Sequence, residues 1–101
     1  MPQWLERSMR RKPRLDASHG AIVAALEAAG ASVQSLASLG GGVPDLMACR
    51  AGNVYLIECK PDGPPSTRKP RESQVKWAQK MGITVYVVST PEEAIQVLTR
   101  T

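Results

Sequence analysis

The sequence predicts an α/β domain with the element order αβββαβα. Three observations predict it. Apolar residues recur at helical spacing in three separated segments. A glycine turn joins two short runs near the middle. A β-branched run, Ile83 to Ser89, stands between the second and third helical segments. The 101 residues suit one domain with a single modest core.

Residues 1–14 read as a basic arm, with a short helical turn around Trp4 and Leu5, and residues 15–101 as the folded domain. A helix is expected at about 16–29, capped by Asp16 or Ser18, with Ile22, Val23, Leu26 and Ala29 on one stripe. Gly30 stands where a left-handed C-terminal residue belongs. Ala31 to Leu39 reads as an irregular first strand. Gly40, Gly41 and Gly42 then form a turn that lets backbones approach closely. Strands are expected at 45–50 and 53–60 around Ala51-Gly52-Asn53. Residues 61–70 are a loop, PDGPPSTRKP. The second helix spans 70–81, with Pro70 in its first turn and Val75, Ala78 and Met81 as a buried stripe. Residues 83–89 read as a central, buried strand. Thr90-Pro91-Glu92-Glu93 is a capping box that starts a final helix through Ile95 and Leu98.

Composition narrows the function. Hydrophobic residues make up 43% of the chain, as in an ordinary globular protein. No apolar run reaches membrane-span length, and the charged N-terminus is unlike a secretory signal. Cys49 and Cys59 form neither a disulfide framework nor a metal-binding spacing, so a reduced, cytoplasmic setting is expected. The net charge of +4 is unevenly spread. Residues 1–14 hold five basic side chains against Glu6, and residues 60–80 hold six against Asp62 and Glu72. Two basic segments around a more acidic middle suit a polyanionic partner, while the plainer reading is a solvated tail and an ordinary helix face.

The middle hairpin carries the chemistry. Glu58 and Lys60 share a strand face, and Cys59 points to the other. With an Ala51-Gly52 loop Asp45 pairs with Glu58, and with a Gly52-Asn53 loop it pairs with Lys60. Either register places all three on one face, whereas a three-residue bulged loop would not. Paired carboxylates repel, and a raised pKa or a hard cation between them relieves this. A lysine beside such a pair can hold a water or offset charge on a phosphate. That combination suits phosphodiester hydrolysis. The alternative is a cross-strand ion pair worth a few tenths to about 1 kcal/mol.

Pro44-Asp45, followed by Glu58-x-Lys60, resembles the PD-(D/E)xK nuclease superfamily. Gly41-Gly42-Val43-Pro44-Asp45-Leu46, Glu58-Cys59-Lys60, and Gln74 with Trp77 on the next helix are together similar to its virus-type replication-repair nuclease (VRR-NUC) family. The likeness is to the small stand-alone phage and bacterial members and runs from about Asp16 to Leu98. It implies a restriction-endonuclease-like αβββαβ(α) core, a mixed sheet flanked by helices. It implies that Asp45, Glu58 and the Cys59 carbonyl ligate Mg²⁺ or Mn²⁺, that Lys60 positions or activates water, and that Gln74 assists. The implied activity is structure-selective DNA cleavage, on Holliday-junction or flap-like substrates, by a homodimer. On this reading Arg10, Arg11, Lys12, Arg68, Lys69 and Arg71 contact DNA.

One position departs from the family. Relatives carry a metal-facing glutamate on the first helix just before an Ile or Val, and Ala21 stands there. Glu27, Asp16 and His19 lie about 120°, 140° and 160° around the helix from it and are not expected to replace it. His19 reads as an exposed first-turn residue. The departure leaves a second possibility, a catalytically weakened DNA-binding module of the same fold, and a third, an RNA-directed nuclease.

Overall fold

The computed structural model describes residues 17–61 and 69–100. The basic arm therefore lies outside the described residues, as does most of the proline-rich loop. Among the described residues four strands and three helices follow in the order expected: α1 Ala17–Ala28, β1 Ser32–Ser35, β2 Leu46–Arg50, β3 Asn53–Cys59, α2 Glu72–Met81, β4 Val85–Val88 and α3 Pro91–Val97. The sheet order is β1-β2-β3-β4, with β1, β2 and β3 antiparallel and β4 parallel to β3. The sheet is mixed because α2 lies between β3 and β4 and carries the chain back to start β4 in the same direction.

The core follows from the alternation of the hairpin. Leu46, Ala48, Tyr55 and Ile57 turn to one face and meet Ile22 and Leu26 of α1 and Ala94, Val97 and Leu98 at the C-terminal end. Ile22, Leu26, Leu46 and Ile57 are fully buried, each worth about 1.5–3 kcal/mol relative to exposure. The Tyr55 hydroxyl donates to the Arg100 carbonyl at 2.6 Å, which ties the chain end to β3. Gly30, at φ 93°, ends α1 as its position predicts. Thr90 caps α3 by accepting from the Glu93 amide at 3.2 Å, and Pro91 is its first residue.

Three local expectations are corrected. The first strand is confined to Ser32–Ser35, because Ala37 to Gly42 turn and three consecutive glycines adopt positive φ. Strand β4 is an edge of the described sheet rather than its centre, with Val85, Tyr86 and Val87 half-buried. Helix α3 packs against β4, while Val85 and Val87 line a groove beneath α2 on the other face. Helix α2 begins at Glu72 with Arg71 as N-cap, so Pro70 precedes it. Of its supposed buried stripe, Val75 is 42% and Met81 51% exposed; Gln74 is the buried residue.

Candidate active site

The turn between β2 and β3 decides the register. Ala51 and Gly52 have φ of 52° and 82°, the pair of positive values that a two-residue type I′ turn requires. Arg50 then pairs with Asn53 and Leu46 with Ile57. One step further along this ladder Asp45 stands opposite Glu58, the first of the two registers weighed from sequence.

The ends of the strands interlock there. The Asp45 amide donates to Glu58 Oε1 at 3.2 Å, and the Cys59 amide donates to Asp45 Oδ2 at 2.9 Å. Lys60 Nζ lies 3.4 Å from Glu58 Oε2, with the two side chains 13% and 6% exposed. The Lys60 amide donates to the Val88 carbonyl at 2.9 Å, so β4 helps hold the lysine's backbone. Gln74 completes the group from α2. Its Nε2 donates to Glu58 Oε2 at 2.5 Å, while its Oε1 accepts from the Arg71 amide at 2.9 Å. Gln74 thus caps its own helix and orients Glu58 at once. Gly42 makes this approach possible, because at φ +86° a Cβ there would run into the Ser73 backbone carbonyl.

Burial raises the pKa of Glu58, and the neighbouring Asp45 charge raises it further; the Gln74 hydrogen bond and Lys60 act in the opposite direction. Two carboxylates on adjacent strand ends, one of them desolvated, form a donor set that suits a hard divalent cation. Beside them, a groove of about 450 Å³ runs between α2 and the sheet. Glu58 and Gln74 line it together with the apolar Val75, Ala78, Val85 and Val87.

Asp45, Glu58, Lys60 and Gln74 are therefore brought together, and the Cys59 backbone lies between them. Lys69 and Arg71 are exposed on the approach to α2. Arg10, Arg11, Lys12 and Arg68 lie outside the described residues.

No protein-family model matches the sequence, and no curated protein matches it. The site's chemistry thus rests on the residues themselves.

The first helix differs from expectation. Ala21 is exposed. His19, expected at the surface, is 7% exposed, and one of its ring nitrogens lies within 4.8 Å of both an Asp45 carboxylate oxygen and the Cys59 thiol. The signal was present in the spacing of His19, Ile22 and Leu26, three then four residues apart, which puts the histidine on the core stripe. Ala21 is no guide to that stripe, being exposed itself. Cys49 and Cys59 are not disulfide-bonded, as their opposite strand faces predict.

Proposed function

We propose that this protein is a metal-dependent DNA endonuclease that hydrolyses phosphodiester bonds. The observation carrying the reading is the convergence of Asp45, Glu58, Lys60 and Gln74, from three elements, on one hydrogen-bonded cluster beside a groove. Asp45 and Glu58 would hold Mg²⁺ or Mn²⁺, with the Cys59 carbonyl as a third oxygen. Such a cation supplies charge neutralisation at the phosphate and a more acidic bound water. Gln74 fixes the rotamer of Glu58. Lys60, tethered at Glu58, holds the attacking water and meets negative charge as it develops on the phosphate oxygens. Lys69 and Arg71, with the basic arm, would grip the DNA backbone, so affinity should fall steeply with salt. Branched substrates acted on by a homodimer, as in DNA repair, fit a domain too small to surround a junction alone.

The second reading is a DNA-binding module that does not cleave. It is favoured by the saturation of Glu58, whose two oxygens already meet the Asp45 amide, Gln74 and Lys60. The absence of an acid at Ala21 favours it as well. Incubation with four-way, flap and linear DNA in Mg²⁺ or Mn²⁺ separates the two. Cleavage that disappears in Asp45→Ala and Lys60→Ala supports the enzyme. Tight binding to branched DNA with no cleavage supports the module, and cleavage surviving both substitutions removes this site from the chemistry.

A further inference from the structure

Asp45 stands between two kinds of chemistry. Its backbone amide donates to Glu58 Oε1 at 3.2 Å, on the side of the oxygen site. Towards the other side it meets an imidazole and a thiol. His19 comes from the first turn of α1, Asp45 from the residue before β2, and Cys59 from the last position of β3. A ligand atom of each lies within 4.8 Å of the other two. His19 is buried and Cys59 packs against the core, so the fold itself holds these atoms together.

We infer that His19, Asp45 and Cys59 form a binding site for a thiophilic divalent cation of the Zn²⁺ class, separate in ligand chemistry from the oxygen site at Glu58. Zinc bonds of about 2.0–2.3 Å in a tetrahedral site place ligand atoms about 3.3–3.8 Å apart. Side-chain rotations that draw the three atoms together by roughly 1 Å would meet that geometry. Imidazole and thiolate select zinc-like ions over Mg²⁺, which prefers oxygen ligands. The hydrogen bond that the Cys59 amide donates to Asp45 Oδ2, at 2.9 Å, steadies the carboxylate as a supporting partner steadies a metal ligand. On binding, the thiol gives its proton to solvent and the thiolate bonds the metal. Three protein ligands leave a fourth position for water or an exchangeable ligand. The site shares Asp45 with the proposed oxygen site but uses neither Glu58 nor Lys60, so substitution at Glu58 separates the two readings.

The test is a Co²⁺ titration of the full chain, reduced and stripped of metal, followed by absorbance. A single equivalent should give a thiolate-to-cobalt charge-transfer band and the strong visible bands of a tetrahedral site, both removed by Zn²⁺. Cys59→Ser should abolish the charge-transfer band and weaken Zn²⁺ binding beyond the about 10–100-fold that losing a ligand's supporting partner costs. His19→Gln should weaken Zn²⁺ binding at least about tenfold with the far-ultraviolet circular dichroism retained. Cys49→Ser and Glu58→Gln should leave the band in place. No charge-transfer band, a band that survives Cys59→Ser, or unchanged affinity in folded His19→Gln would overturn the inference. Loss of cleavage in Glu58→Gln with the band intact bears on the nuclease reading alone.

Discussion

The two faces of the sheet are made by the same strands and built to opposite ends. On one face Leu46, Ala48, Tyr55 and Ile57 meet Ile22, Leu26, Val97 and Leu98, and none of these is more than 6% exposed. One residue along each strand, Met47, Leu56, Glu58, Val85 and Val87 turn to the other face. There α2 leaves a groove, and Val54 and Val75 remain 61% and 42% exposed. Sealing one face supplies stability, which frees the other to hold a desolvated carboxylate beside a second one. A site of that kind is costly to fold around.

The largest effect expected on the open face is on catalysis. Asp45→Asn should lower DNA cleavage by about 10²–10⁴-fold, measured as single-turnover rates on a four-way junction. A loss below tenfold would mean the carboxylate serves the hairpin and not the reaction. The sealed face should answer in stability. Ile57→Ala should cost about 2–5 kcal/mol in urea unfolding, against less than about 1 kcal/mol for Val75→Ala. Equal costs would erase the contrast between the faces. Gly42→Ala tests the joint between loop and helix. Strain at φ +86° and collision with the Ser73 carbonyl should cost roughly 1–3 kcal/mol and loosen Gln74 from Glu58.

The smallest effect is in pH. Burial and the charge of Asp45 hold the Glu58 carboxyl above the ordinary glutamate value of 4.5, so the folded chain keeps that proton longer than the unfolded chain does. This contribution to stability is whole below pH 4.5 and is lost as the pH rises through the elevated value. In EDTA, Glu58→Gln carries no charge to bury and should lose less stability than the wild type over that rise. Superimposable stability profiles would mean that Glu58 is well solvated.

Much of this was legible in the residues. Alternation places Asp45, Glu58 and Lys60 on one face whichever tight turn joins the strands, because both registers agree in parity. Thr90 to Glu93 announced α3 through local hydrogen bonding, and Gly42 announced a close approach. What periodicity does not carry is cover. The spacing of Val75, Ala78 and Met81 makes a stripe whether a sheet seals it or a groove lies beneath. The β-branched run at Val85 to Val88 has the same composition at an edge as at a centre. His19 was missed for a related reason: its burial depends on which face of α1 meets the sheet, and a histidine on an apolar stripe gives polarity and spacing opposite votes.

Crystals of the protein soaked in Mn²⁺ provide the most direct measurement of whether Asp45 and Glu58 share one cation. The account predicts an anomalous peak ligated by both carboxylates, with Lys60 beside it. Glu58 still held by the Asp45 amide, Gln74 and Lys60, and Asp45 by the Cys59 amide, with no manganese between the carboxylates at saturating concentration, would contradict it.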